Sequence, residues 1–436
     1  MNSPLLATLL LASLPALHAA AADLSKVASR SDLEAVLTVT ADAPLKQALT
    51  DHAAAILAAA AQHPHVEAVI RTIESAPGTF TKINTTPEAL SKAAGGDIAL
   101  FDTLTHVSTH IVNGKAHVYR DAKDDPYDAA FLGHLGHIPS LESVKIVATK
   151  IEDSWLEPLL ALKNLKSLSM EGTARGLPGN PALGDASLAR LQALTACTQL
   201  TSLELAYFGK ATDAGFERLA GLKNLEAFTP RGNNTHGHYF AKFEGWTKLR
   251  SLNLHSNHLD DEGMSYVCER FPNLEFIKLW HSHALTDASA AHLGKLKKLT
   301  GMEISTTKAT AALLQHLSHT ALEYAALEYG VSAPASDAIR HIQPISTLRR
   351  LKILAKDFTA EDLAALASAR QLTELTLNSI ALTDDRVSEL QGFAFLKSLT
   401  LSMSPNHSAP GTKGDPEELQ AKIKALLPSV DVKFVK

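Results

Sequence analysis

The 436-residue sequence predicts an α/β solenoid: a curved parallel β-sheet on the concave face, helices on the convex face, and an α+β cap domain at the N-terminus. Two periodic observations carry that expectation, and one aperiodic one completes it. The pattern Leu-x-x-Leu-x-Leu recurs at a nearly constant spacing from Leu141 onward. A second phrase, with Asp at the start of an apolar-periodic run, recurs between many of those copies. The first third of the chain shows neither.

The opening residues carry an apolar run from Leu5 to Leu17, followed by Ala19-x-Ala21 and Ala20-x-Ala22 as cleavage choices, so residues 1–22 read as a secretory signal. Its n-region holds no Lys or Arg. No later stretch has about 18 uninterrupted apolar residues, so a mature chain without a membrane span is expected, in the periplasm or secreted.

Residues 23–131 read as the α+β cap. Asp42-Ala-Pro44 opens an Ala-rich helix with Leu45, Leu49, Ile56 and Leu57 on one side, and Val66, Val69, Ile70 and Ile73 continue a second. Thr86-Pro87 starts another helix that Gly95-Gly96 stops. Asn113-Gly114 between β-branched and aromatic residues predicts a hairpin turn. The simplest role for this unit is to cover the apolar end of the first repeat.

Residues 132–436 hold about 12 repeats, counting a C-terminal cap. Copies begin at Leu141, Leu165, Leu200, Leu225, Leu249, Leu274, Leu299, Leu322, Leu348, Leu372 and Leu396, with a degenerate one at Leu427. Nine of the eleven intervals fall between 23 and 26 residues, room for one strand, a crossover helix and the return. One such unit cannot bury its leucines alone, so neighbours stack around a shared core. The intervening phrases (LGDASLARL, ATDAGFERL, LDDEGMSYV, LTDASAAHL, LTDDRVSEL) place Thr, Asp or Gly before Asp at helix starts, which reads as N-capping of each unit's own helix.

With these residues the chain resembles leucine-rich-repeat proteins of the ribonuclease-inhibitor-like and bacterial LTDxGL type, and its repeats are similar to those of F-box substrate adaptors. The resemblance implies a solenoid that binds proteins or other ligands on its concave sheet, with no catalytic residues to carry over. A substrate-recognition subunit of a ubiquitin-ligase-type complex is the alternative it raises. The export signal and the lack of an F-box in the first third weigh against that.

Three departures from the repeat carry expectations. The 35-residue interval holds an insertion with Gly176, Pro178, Gly179 and Pro181, expected as a surface loop. Pro230 stands at a core strand position and cannot donate to a ladder, so the sheet should be interrupted there. The last strand, VDVKF, should close the C-terminal end.

A net charge of -5 with dispersed Lys and Arg disfavours nucleic acid as a partner. The repeat register sets Cys197 and Cys268 three units apart, roughly 14 Å, beyond the ~7 Å limit for a disulfide, so two buried free thiols are expected. The pairs His236/His238 and His281/His283, with His255 and His258 one repeat from the second pair, raise a metal-dependent enzyme as a further alternative. Spacing shows no third converging ligand, so no metal and no cofactor are expected. No nucleophile elbow, phosphate loop or zincin motif occurs, and no catalytic residue is assigned.

Side chains between and after the core leucines of each strand face away from the core. Small residues dominate that face in the early repeats and large ones gather in the middle. Arg231, His255, Phe276, Lys278, Trp280 and Tyr324 are therefore the expected binding patch for a protein or envelope polymer, Arg, Trp and Tyr being enriched at interface hot spots.

Overall fold

One short apolar strand per unit, returning every two dozen residues, has to pair beside its predecessor, and it does. In the computed structural model the strands are β1 (Thr79–Asn84), β2 (Asp102–Ser108), β3 (Ser143–Val147), β4 (Ser167–Glu171), β5 (Asn180–Gly184), β6 (Ser202–Ala206), β7 (Phe208–Lys210) and β8 (Ala227–Thr229). They continue with β9 (Ser251–Asn253), β10 (Phe276–Trp280), β11 (Gly301–Ser305), β12 (Tyr324–Leu327), β13 (Arg350–Leu354), β14 (Glu374–Asn378), β15 (Ser398–Ser402) and β16 (Asp431–Val435). All but β5 and β7 form one 14-stranded sheet in chain order, parallel except for the antiparallel β1–β2 pair. The chain is a leucine-rich-repeat solenoid.

The structure describes residues 24–76, 78–109, 126–147, 151–172, 180–328, 335–402 and 416–435. The export segment, the Asn113-Gly114 turn, most of the insertion and the 403–415 connection lie outside them.

Strand alternation sorts the two faces. In β10, Ile277 and Leu279 are buried while Phe276, Lys278 and Trp280 are half-buried on the open face. The inward residues join one core that runs from Val66 to Val432. Its centre is aromatic rather than leucine-built: Phe216, Phe228, Tyr239, Phe240, Phe243, Trp246 and Phe271 pack there, and the buried Trp246 indole donates to the Ala220 carbonyl at 2.8 Å. Beside this cluster β8 stops at Thr229, immediately before Pro230, as expected from the missing N–H. Behind the sheet the crossovers alternate short α-helices, such as Asp261–Arg270 and Ala360–Leu366, with 3-10 segments such as Asp153–Ala161 and Asp384–Phe393.

The recurring Asp does something other than cap its own helix. The Asp185, Asp261 and Asp287 carboxylates each accept from the backbone N–H and the hydroxyl of a Thr in the next unit, Thr212, Thr286 and Thr310. Asp213 likewise accepts from His236 N and Tyr239 N. The capping falls to the residue before: Asp260 accepts from Gly263 N, Thr286 from Ala288 N and Thr310 from Ala312 N. The N-cap expected in the residue before the recurring Asp is seen at Asp260 and Thr286, and the Asp itself has a second role. It ties one repeat to the following one because the phrase repeats in register. Buried Asn233 and Asn257 add a second tie, accepting from Phe208 N and Asn233 N and donating to the Leu205 and Pro230 carbonyls.

Where strands leave the sheet, the equivalent position adopts positive φ in six of the units: Tyr207, Gly232, Ser256, His281, Thr306 and Ser379. The chain must bend sharply there towards the helical side. A left-handed conformation costs a non-glycine residue about 1 kcal/mol or more. The amides offset part of this by extending the ladder, Tyr207, Gly232, Ser256 and His281 donating to carbonyls of the next unit at 2.7–3.0 Å.

Several expectations shift at the N-terminal side. The helix expected from Asp42 through Leu57 breaks at His52 into Ala43–Asp51 and the start of a 22-residue helix, Ala53–Glu74, which also takes in the second expected helix and runs through Pro64. The sheet continues past Leu132 into the first third through β2, whose Val107 pairs with Val144 of β3. Leu24, Leu33, Leu45, Leu49, Ile56 and Leu90 form a separate small core among the first helices. Where the Ala53–Glu74 helix meets the Ala129–Gly136 helix, His65 Nδ1 lies 2.9 Å from His134 Nδ1, and the His65 ring stacks on His137 at 4.1 Å between centroids. Burial and the neighbouring His137 and His134 hold His65 below its ordinary value. Part of the expected insertion loop is strand, since β5 pairs with β7 at the strand-exit edge. At the other end β16 pairs with β15 as the last strand of the sheet. Cys197 and Cys268 are free and buried, as expected.

Candidate binding face of the sheet

The open face is built from three rows of side chains, because each strand sets three residues outward and parallel register aligns them across repeats. One row runs through Ser251, Phe276, Gly301, Tyr324, Arg350 and Glu374. The next runs through Asn253, Lys278, Glu303, Ala326, Lys352 and Thr376. The third follows the strand ends, where Trp280, Ser305, Leu354 and Asn378 stand.

Five of the six expected residues lie together. Lys278 Nζ sits 2.8 Å from a Glu303 carboxylate oxygen and 3.7 Å from the centre of the Trp280 ring, so one ammonium serves both an ion pair and a cation–π contact. The Tyr324 hydroxyl donates to the other Glu303 oxygen at 3.2 Å, and Arg350 lies over the Tyr324 ring at 5.1 Å. Burial first, and then Glu303, push the Tyr324 phenol up to about 12, so it stays a hydrogen-bond donor at neutral pH. His255 meets the Trp280 ring edge-on at 5.6 Å and lies against His281 at 5.2 Å.

Glycine 301 makes the floor. It stands between Phe276 and Tyr324 in the first row, and a Cβ there would come within 2.7 Å of the Phe276 ring. The phenyl ring thus lies over bare backbone, and Gly301 is buried beneath the two aromatic side chains. At the other end of β10, opposite Ser305, Trp280 Nε1 is buried and has no hydrogen-bond partner.

Arg231 does not join them. Its guanidinium turns towards the earlier repeats, 2.9 Å from Glu171 and 2.8 Å from Glu204, with the Tyr207 ring 5.0 Å away. Its side chain is 18% exposed and that of Glu171 only 4%, so the group is a nearly buried clamp. Burial opposes the Arg231 charge, but Glu171 and Glu204 outweigh it and raise its affinity for the proton. Burial would raise Glu204, yet the Ser169 hydroxyl at 2.7 Å and Arg231 hold it below its ordinary value. A residue type common at hot spots is here used up by two carboxylates.

The middle row is what sequence reasoning passed over. Reading Lys278 alone from it missed Glu303, and with it the ion pair that fixes the lysine over Trp280. The same row and its neighbour supply a further ionic group, Lys352 on Glu328, with Asn378 donating to Glu328 at 3.4 Å. The signal was legible: charged residues of opposite sign stand one repeat apart at the middle outward position.

The histidine pairs do not gather. His238 binds Asp260 at 3.0 Å, the His236 ring centre is 5.8 Å from that of His238 and 5.9 Å from His258, and His281 and His283 lie 6.2 Å apart. Among the described residues no group of three or more His, Cys, Asp or Glu side chains is arranged to hold a metal ion, and no helix is long and apolar enough to cross a membrane.

No family model and no curated protein matches the sequence. Among solved structures the chain is similar to an internalin (inlF) from Listeria monocytogenes strain 4b F2365, at 15% identity over 76% of this chain and 86% of that one, with a TM-score of 0.40. It is also similar to the functional domain of InlJ from Listeria monocytogenes, at 19% identity over 62% of this chain, with a TM-score of 0.36. In that second case the chain spans half of the domain it matches, 50%.

Proposed function

We propose that the protein is a non-enzymatic recognition scaffold that takes a protein partner on the open face of its sheet. The observation that carries this reading is the patch around Gly301: two aromatic side chains on a bare-backbone floor, an unpartnered Trp280 donor, and charges already neutralised by Lys278–Glu303 pairing. Such a surface loses little on desolvation and gains from aromatic burial, the combination found at interface hot spots. Phe276, Lys278, Trp280, Tyr324 and His255 are its contact residues, and Arg231 shapes the adjoining wall.

The apolar run from Leu5 to Leu17 and the small residues after it support export of the chain. In that reading the partner stands in the cell envelope or outside the cell. Residues 23–131 then serve to cover the first repeat.

The test is affinity capture from native envelope fractions with the wild-type chain and with a Phe276→Ala/Trp280→Ala variant. Both side chains are half-buried on an open face, so the variant should keep its fold by circular dichroism. A partner retained by the wild type and lost by the variant is expected. Equal capture by both rejects the patch.

A further inference from the structure

A second feature lies away from the open face, at the corner where the crossovers return to the start of the strands. The stretch Gly294-Lys295-Leu296-Lys297-Lys298 puts three exposed lysines into one such corner, and His316 and His319 of the next unit are exposed beside it. Ala291, Gly294, Lys295, Lys297, His316 and His319 line a shallow depression of about 410 Å³. Close approach of the two units requires Gly294, since a Cβ there would lie 2.8 Å from His316 Cβ.

We propose that this corner is a binding site for tetrahedral oxyanions, the phosphate or sulfate groups of an anionic polymer. Three observations converge on an acceptor-rich ligand. All the polar side chains lining the depression are basic. Among the described residues none of Lys295, Lys297, Lys298, His316 and His319 forms an ion pair, although elsewhere on the same edge Lys166 pairs with Glu142 and Arg250 with Glu275. Lys297 Nζ is tethered to the Gly294 carbonyl at 2.8 Å, which pre-orders one ammonium at the floor.

The net charge of the whole chain, -5, makes the inference specific. A polyanion is repelled by the molecule at a distance, so attraction must come from a local excess of positive charge. Lysine ammoniums act as point charges that suit a multiply charged oxyanion better than a planar carboxylate, for which arginine forks are the usual match. The site lies on a different edge from the aromatic patch, so a polymer here and a protein partner there need not compete.

Isothermal titration of the full chain with a short linear polyphosphate at low salt tests the site. Three proteins are compared: wild type, Lys295→Gln/Lys297→Gln, and a control, Lys163→Gln/Lys223→Gln, which removes exposed lysines from equivalent corners of other repeats. Wild type and control should bind alike, and the Lys295/Lys297 variant roughly tenfold or more weakly, the loss expected from two charge-assisted contacts. Dextran sulfate separates the sources: binding of both polymers with the same loss assigns shared oxyanion chemistry, and binding of polyphosphate alone narrows it to phosphate. No binding to either polymer, or equal weakening in the control variant, overturns the proposal.

Discussion

Replacing Arg231 with Ala should damage stability rather than recognition. The guanidinium neutralises Glu171, only 4% exposed, and Glu204, 23% exposed, at 2.9 and 2.8 Å. Removing one member of a buried ionic group leaves the others uncompensated, at a cost of about 3–5 kcal/mol when burial is complete. Water still reaches Glu204, which sets the expectation at the low end, about 3 kcal/mol. Urea unfolding of wild type, Arg231→Ala, Glu171→Gln and an Arg231→Met/Glu171→Gln pair reads the coupling directly. The pair should recover the part of the loss owed to Glu171 but not the part owed to Glu204, which is left without its guanidinium. The sign with pH is fixed by Glu204, whose folded-state pKa is depressed below the ordinary value of 4.5. Its contribution is full above about pH 4.5 and is lost as pH falls through the lower folded value, so the gap between wild type and Arg231→Ala narrows on acidification. A loss below about 1 kcal/mol, the range of an exposed ion pair, would refute the clamp and return Arg231 to the list of free contact residues.

Other expectations concern the stacking devices. Thr306→Gly removes a left-handed non-glycine residue and should stabilise the fold by about 0.5–1 kcal/mol in denaturant melts, whereas Gly232→Ala, with φ +70 and a Cβ placed 2.4 Å from the Tyr207 ring, should destabilise it by about 2 kcal/mol or more. Asp287→Ala leaves Thr310 N–H without its acceptor, so hydrogen exchange should accelerate at Thr310 and along the Ala311–Leu314 segment while the strands β14 and β15 stay protected. Lowering the pH from about 7.5 to about 5.5 should loosen the contact between the Ala53–Glu74 and Ala129–Gly136 helices. His65 is depressed below its ordinary value of 6.5, so the folded state takes up fewer protons than the unfolded one, and stability is lost as pH falls from there through the folded value. Exchange protection of the Val66–Ile73 segment that does not change over that range would count against it.

The leucine spacing made the solenoid legible, because a strand, a crossover and a return have a fixed length in residues. The shortened β8 was legible for an equally local reason, the absent N–H of Pro230. What sequence could not disclose were interactions whose partners sit a whole repeat away. Asp261 looks like a helix cap when its own unit is viewed alone, and only stacking in register delivers it to Thr286. Strands β1 and β2 escaped notice because they lack the leucine pattern and depend on β3 to hold them in the sheet. At the site, strand alternation sufficed to place Phe276, Lys278 and Trp280 on one face. It said nothing of direction along the sheet, which is why Arg231 was grouped with residues it turns away from. Gly301, the least conspicuous residue of its row, proves to be the floor of the patch through the side chain it lacks.

The central claim is that a partner seats on the open sheet face, and site-specific photocrosslinking in the native host tests it most directly. A photoreactive residue at Arg350, exposed beside Tyr324, should form a discrete adduct that the Phe276→Ala/Trp280→Ala background abolishes. The same probe at Glu269, exposed on the helical side, should form none. An adduct from Glu269 with none from Arg350 would place recognition on the opposite surface and contradict the assignment.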